Sequence, residues 1–152
     1  MKYYLNIICI ILLASCSQKM YSPQVKNNST TEEGTIRIQS SGEGKNLPDA
    51  YSNAVENAFS TVLFKGVPES IQATPMIPDE PTARQQYASV LSCFKDKTCY
   101  TQFLTSASQN GKKERVRGSS LINYQVQSDV TINIRALRTY LEQNNVIRKF
   151  GY

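Results

Sequence analysis

Histidine and tryptophan are both absent from the 152 residues. Without an imidazole, the triads and dyads that rely on histidine as general base are excluded. Two thiolates with no histidine also make a poor zinc site. The apolar stretch near the start, Leu5–Leu13 with Asn6 inside it, is too short to cross a bilayer as a stable helix. Glycine is sparse, and its one close pair, Gly42-Glu43-Gly44, fits neither the phosphate-binding loop nor the dinucleotide fingerprint. That pair is expected to be a turn.

What is present begins with a signal. Lys2 gives a positive start, Leu5–Leu13 an apolar middle, and Leu13-Ala14-Ser15-Cys16 a small-residue end that closes on cysteine. The arrangement resembles the bacterial lipoprotein signal peptide with its lipobox. The resemblance implies a diacylglycerol on the Cys16 thiol and cleavage just before it, with residues 1–15 as signal peptide. An uncleaved anchor, or a chance cysteine after an ordinary signal, is the alternative. Ser17 is not the aspartate associated with inner-membrane retention, so likeness to sorted lipoproteins implies the periplasmic face of the outer membrane. Cys9 leaves with the signal and Cys16 goes to the lipid. Cys93 and Cys99 remain as an even pair in an oxidising compartment, where a disulfide is expected. Free thiols and a metal are its alternatives.

Removing residues 1–15 leaves 137, room for a single domain of ordinary size. Residues 16–34 are polar and read as the lipidated cysteine and a flexible tether reaching about 25 Å. The domain is expected over 35–152, with an insertion at about 67–111. Charge is uneven along it. Residues 112–152 hold eight basic and three acidic residues, a net of +5, whereas 16–111 hold eight and nine. A basic C-terminal third suits anionic lipid headgroups, acidic glycans or an acidic partner protein. An exported lipoprotein has little occasion to meet nucleic acid.

A first strand is expected over Thr35–Ser40, with Ile36 and Ile38 inward. Asn46 offers a helix N-cap with Pro48 in the first turn, and the helix should run to about Lys65 and stop at Gly66. Ala50, Ala54 and Ala58 form a small-residue stripe along it. Four prolines crowd 67–81. Beyond them Tyr87, Val90, Leu91 and Phe94 recur at helical spacing, and Cys99–Leu104 reads as a second short helix, together a helical hairpin. From Ile122 to Ile134 the even positions are apolar apart from Ser128 and the odd ones polar, the mark of one long half-exposed strand with a bulge expected near Ser128-Asp129. Arg115–Arg117 should pair beside it. A helix over about Ala136–Asn144 buries Leu137 and Leu141, and a tail docks Val146, Ile147 and Phe150.

The order strand, alanine-rich helix, two strands and helix, with Gly42-x-Gly44 before Ala50-xxx-Ala54-xxx-Ala58, is similar to the small-lipoprotein and flagellar-assembly T protein N-terminal superfamily. The resemblance covers roughly 35–66 and 112–144. It implies an α+β domain used in envelope assembly, with no catalytic residues to carry over and no cofactor. The residues themselves lead to the same class: a small antiparallel sheet with helices on one face and an inserted helical hairpin.

No constellation for catalysis stands out. Ser92-Cys93-Phe94-Lys95 matches S-x-x-K but lacks the companion elements of the penicillin-recognising enzymes. Asp79 and Glu80 read as helix-start residues. A non-catalytic binding or assembly module, self-associating or part of an envelope complex, is therefore expected. The alternatives are an enzyme with an unrecognised site and a protein that binds an anionic glycan or lipid. Arg37, Arg115, Arg117 and Arg135 are the candidate binding face, on the expectation that all four lie outward among amides on one sheet; an ordinary solvated face is the competing reading.

Overall fold

The alternation over Ile122–Ile134 becomes the axis of the fold. The computed structural model describes residues 33–109, 114–117 and 122–149. The signal, Cys16, the tether as far as residue 32, and Phe150 of the tail lie outside the described residues. Strand β4 (Ile122–Asn133) runs through the centre of an antiparallel sheet. Strand β1 (Thr35–Gly44) lies along one side of it, in unbroken register from Thr35 opposite Asn133 to Gly44 opposite Tyr124. Strands β2 (Leu104–Gln109) and β3 (Glu114–Arg117) also pair with β4, at residues 128–132 and 122–125 respectively.

β1 is longer than its apolar pattern predicts, because Gly42 and Gly44 continue the strand instead of turning the chain. Helix α1 (Leu47–Phe64) lies directly over them. A Cβ on Gly42 would stand 2.2 Å from the Ala54 nitrogen and 2.3 Å from the Ala50 carbonyl oxygen; on Gly44 it would stand 2.4 Å from the Ala50 nitrogen. The glycines and the alanine stripe are therefore two sides of one backbone-to-backbone contact. Ser40 and Ser128 face each other across β1 and β4 in the same small-residue row, both fully buried. α1 begins as expected: the Asn46 side chain accepts from the Asp49 N–H at 2.8 Å. It ends as expected too, at Lys65, with Gly66 at φ +77°.

α1 also serves the margins of the sheet. Asn53 and Asn57 donate to the carbonyls of Glu43 and Ser41 on β1, at 2.6 and 2.8 Å. The Tyr51 hydroxyl donates to the Ala107 carbonyl on β2 at 3.2 Å. Burial, and secondarily the neighbouring Tyr100, raises the Tyr51 phenol above its ordinary pKa.

The insertion is a succession of short helices and not two arms of a hairpin. The loop after α1 ties back to it, Ile77 N–H donating to the Leu63 carbonyl at 2.8 Å, so the helix end is closed by backbone. Then follow α2 (Glu80–Gln86), α3 (Ala88–Leu91), a 3-10 turn at Ser92–Lys95, α4 (Lys97–Tyr100) and a 3-10 turn at Thr101–Phe103. The expected second helix over Cys99–Leu104 thus stops at Phe103, and Leu104 opens β2. Phe59 of α1 gathers this region: its ring centroid is 5.3 Å from Phe94, 6.0 Å from Tyr100 and 6.4 Å from Phe103.

Cys93 and Cys99 stand as a disulfide with Cα atoms 5.1 Å apart, joining the first 3-10 turn to α4. The closed loop is short, so the clip is local. Replacing both cysteines by serine should lower stability by only about 1–3 kcal/mol and preserve the far-ultraviolet circular dichroism spectrum. In an unreduced digest the two cysteines should appear linked; alkylatable thiols in the natively expressed protein would refute the bridge.

β4 passes straight into helix α5 (Ile134–Gln143), two residues earlier than its apolar stripe predicts. Asn133 caps it, accepting from the Ala136 N–H at 2.9 Å. Leu137 and Leu141 are buried, and Val146 and Ile147 pack against the core from the tail. The bulge expected in β4 lies opposite it instead: the register of β2 shifts between Leu104 and Ser106.

Candidate functional site

The polar face of the sheet was the leading candidate, and the strand register redistributes it. Arg37 stands on this face with a hydrogen-bonded ion pair to Asp129. Its side chain is 38% exposed and that of Asp129 10%. One candidate guanidinium is thus matched by a carboxylate of the domain itself. Around it are Gln39, Gln127 and a Ser106–Thr131 hydroxyl pair at 3.0 Å. Arg115 and Arg117 pair with Tyr124 and Ile122, members of the even set, while Glu114 pairs with Gln125. The expectation placed those arginines beside Asn123 and Gln125. β3 thus pairs one residue out of the expected phase, and a one-residue change of register exchanges the faces. Arg135 is not on the sheet at all; it lies exposed in the first turn of α5. The four arginines do not form one row.

Two concavities among the described residues bear on a binding site. One, of about 500 Å³, lies between Met76, Ile77 and Ala83 on one side and Val146, Ile147 and Arg148 on the other. The other, of about 440 Å³, lies against α5 and is lined by Gln102, Phe103, Asn133, Arg135, Tyr140 and Gln143 among others. In the latter, Tyr140 rests on Phe103 with ring centroids 5.1 Å apart and meets Phe94 edge-on at 6.2 Å. These contacts fix the plane of a ring that is only half-buried. Arg135 has no carboxylate partner among the described residues. Gln102 directs its amide nitrogen at the disulfide, 3.4 Å from Cys99 Sγ and 3.9 Å from Cys93 Sγ. Arg135, Thr139 and Gln143 share one face at i, i+4 and i+8. That polar stripe was visible in the sequence; its meeting with Phe103 from the insertion was not.

The residues weighed for catalysis are engaged elsewhere. Ser92 Oγ donates to the Ser89 carbonyl at 2.7 Å, while Lys95 Nζ lies 3.5 Å from Glu56, so the S-x-x-K pair is not assembled. Asp79 caps α2, and its hydrogen bonds from Thr82, side chain first and then backbone, hold its carboxyl below the ordinary range. Glu80 pairs with Arg84 at 2.7 Å. Among the described residues no cluster of three or more metal-ligating side chains occurs, and no helix is long and apolar enough to cross a membrane.

The fold defines an α+β domain with a small antiparallel sheet and, among the described residues, five α-helices. No family model, curated protein or solved structure matches the chain.

Proposed function

We propose that this chain is a lipid-anchored, non-catalytic binding or assembly module of a bacterial cell envelope, held by Cys16 at the periplasmic face of the outer membrane. The observation that carries the reading is Leu13-Ala14-Ser15-Cys16 at the end of a charged-then-apolar start. The polar residues 16–34 give the domain a tether, and strand β1 begins at Thr35, after them. The order of strand, alanine-packed helix, strands and helix supports an envelope-assembly role through its likeness to the flagellar-assembly T protein superfamily. Partners are then the membrane, through the lipid, and either an envelope protein or an anionic glycan.

Changing Cys16 to alanine tests the anchor. The variant should accumulate as an uncleaved, unlipidated precursor, seen as a mass larger by the signal and lacking the lipid. A variant that still matured and floated with membranes would overturn the reading. Crosslinking in intact cells, with the wild-type chain as bait, then identifies the neighbours.

A further inference from the structure

We infer that the concavity against α5 is a saccharide site whose ligand is a sugar bearing a carboxylate. The inference deepens the envelope-module reading and rests on it for the class of ligand; the geometry is independent of it. A sugar presents an apolar face of C–H groups and a rim of hydroxyls that both donate and accept. The site offers the counterpart of each. Tyr140 supplies an aromatic surface held in place by Phe103 and Phe94.

Around that ring stand groups of both hydrogen-bonding senses. The Gln102 amide nitrogen faces the disulfide sulfurs, which leaves its carbonyl oxygen as an acceptor. Asn133 gives its side-chain oxygen to the α5 cap, which leaves its NH2 as a donor. Gln143 carries one of each. An apolar ligand would cover these amides without giving them partners, which costs free energy. A phosphate or polyanion would call for several cations, and the lining holds one, Arg135. One guanidinium with no carboxylate partner among the described residues fits one carboxylate through two parallel N–H donors. The volume of about 440 Å³ lies within the range of small-molecule sites.

The test uses the full chain in detergent micelles, followed by amide NMR and calorimetry. Three probes separate the parts of the ligand: the N-acetylglucosaminyl–N-acetylmuramic acid disaccharide, neutral di-N-acetylchitobiose, and lactate as a carboxylate without a ring. The acidic disaccharide should shift the amides of Thr139, Tyr140 and Gln143 saturably. The neutral disaccharide should bind about tenfold more weakly, the factor expected for losing one charge-assisted pair. Arg135→Gln should bring the acidic disaccharide to the neutral level without changing the melting temperature, since Arg135 is exposed. Tyr140→Leu should abolish both sugars. Because Tyr140 also packs in the core, Gln143→Ala, on the exposed rim, provides the second variant and should weaken both alike. Absence of saturable shifts, affinity unaffected by Arg135→Gln, or lactate binding as tightly as the disaccharide would each overturn the assignment. A chain that stays anchored through Cys16 yet ignores the sugars would sink this inference and leave the module reading standing.

Discussion

Gly42→Ala should cost the domain about 3 kcal/mol or more, an unusually large penalty for adding one methyl group. The atoms in its way are the backbone nitrogen of Ala54 and the backbone oxygen of Ala50, at 2.2 and 2.3 Å from the new carbon. Neither can rotate aside as a side chain would, so α1 must rise from β1 along the segment where Ala50, Ala54 and Val55 are fully buried. Overpacking in a core usually costs about 1–3 kcal/mol, and rigid backbone on both sides places this site at the upper end. A domain of ordinary stability has roughly 5–15 kcal/mol in total. Thermal unfolding followed by circular dichroism reads the effect directly. Gly34→Ala serves as the comparison: its added carbon would meet Arg135 at ordinary contact distances, 3.6 Å and beyond, so its cost comes from φ +88° alone. A Gly42→Ala protein melting with the wild type would mean that helix and strand do not touch there.

Phe59→Ala should be comparably severe, at about 3–5 kcal/mol. Phe59 is fully buried and meets three other aromatic rings, each such pair contributing about 0.5–1.5 kcal/mol beyond the area it covers. All three partners belong to the insertion, so the loss should loosen 92–103 before the sheet. Hydrogen exchange should show amides of that segment opening well ahead of those in β1 and β4. Phe59→Leu should recover part of the stability. If amides across the whole domain opened together, Phe59 would be a general core residue and not the attachment of the insertion.

How much of this was legible depended on whether a residue's role leaves a period. β4 alternates between apolar and polar from Ile122 to Asn133 with Ser128 as the one exception, and its course through the sheet follows from that. Asn46 and Gly66 mark the ends of α1 by chemistry that works at one position, so they too could be read directly. β2 could not: Leu104-Thr105-Ser106-Ala107-Ser108-Gln109 has almost nothing apolar to alternate, and it joins the sheet through backbone pairing with an already placed β4. Gly42 and Gly44 were misleading for a different reason. Lack of a side chain serves a turn and a close contact equally well, and only the position of α1 decides between them. The phase of Arg115 and Arg117 against β4 is a matter of strand register, which no composition reveals. The concavity at Arg135 joins Phe103 to residues some thirty or more positions later, a proximity that only the folded chain creates.

The contacts from Asn53, Asn57 and Tyr51 to β1 and β2 carry a consequence for how copies of the domain meet one another. Where copies collide, bare strand margins would template polymer growth. A carbonyl already holding an amide or phenol proton is a weaker acceptor, and the side chain that donates to it stands in the path of an incoming strand. One helix therefore blunts both flanks of the sheet, the β1 side through two asparagines and the β2 side through one tyrosine. The arrangement makes α1 a single point of failure: if it lifts, the interior and both flanks are bared together, and loss of fold and conversion to a self-adhesive species become the same event.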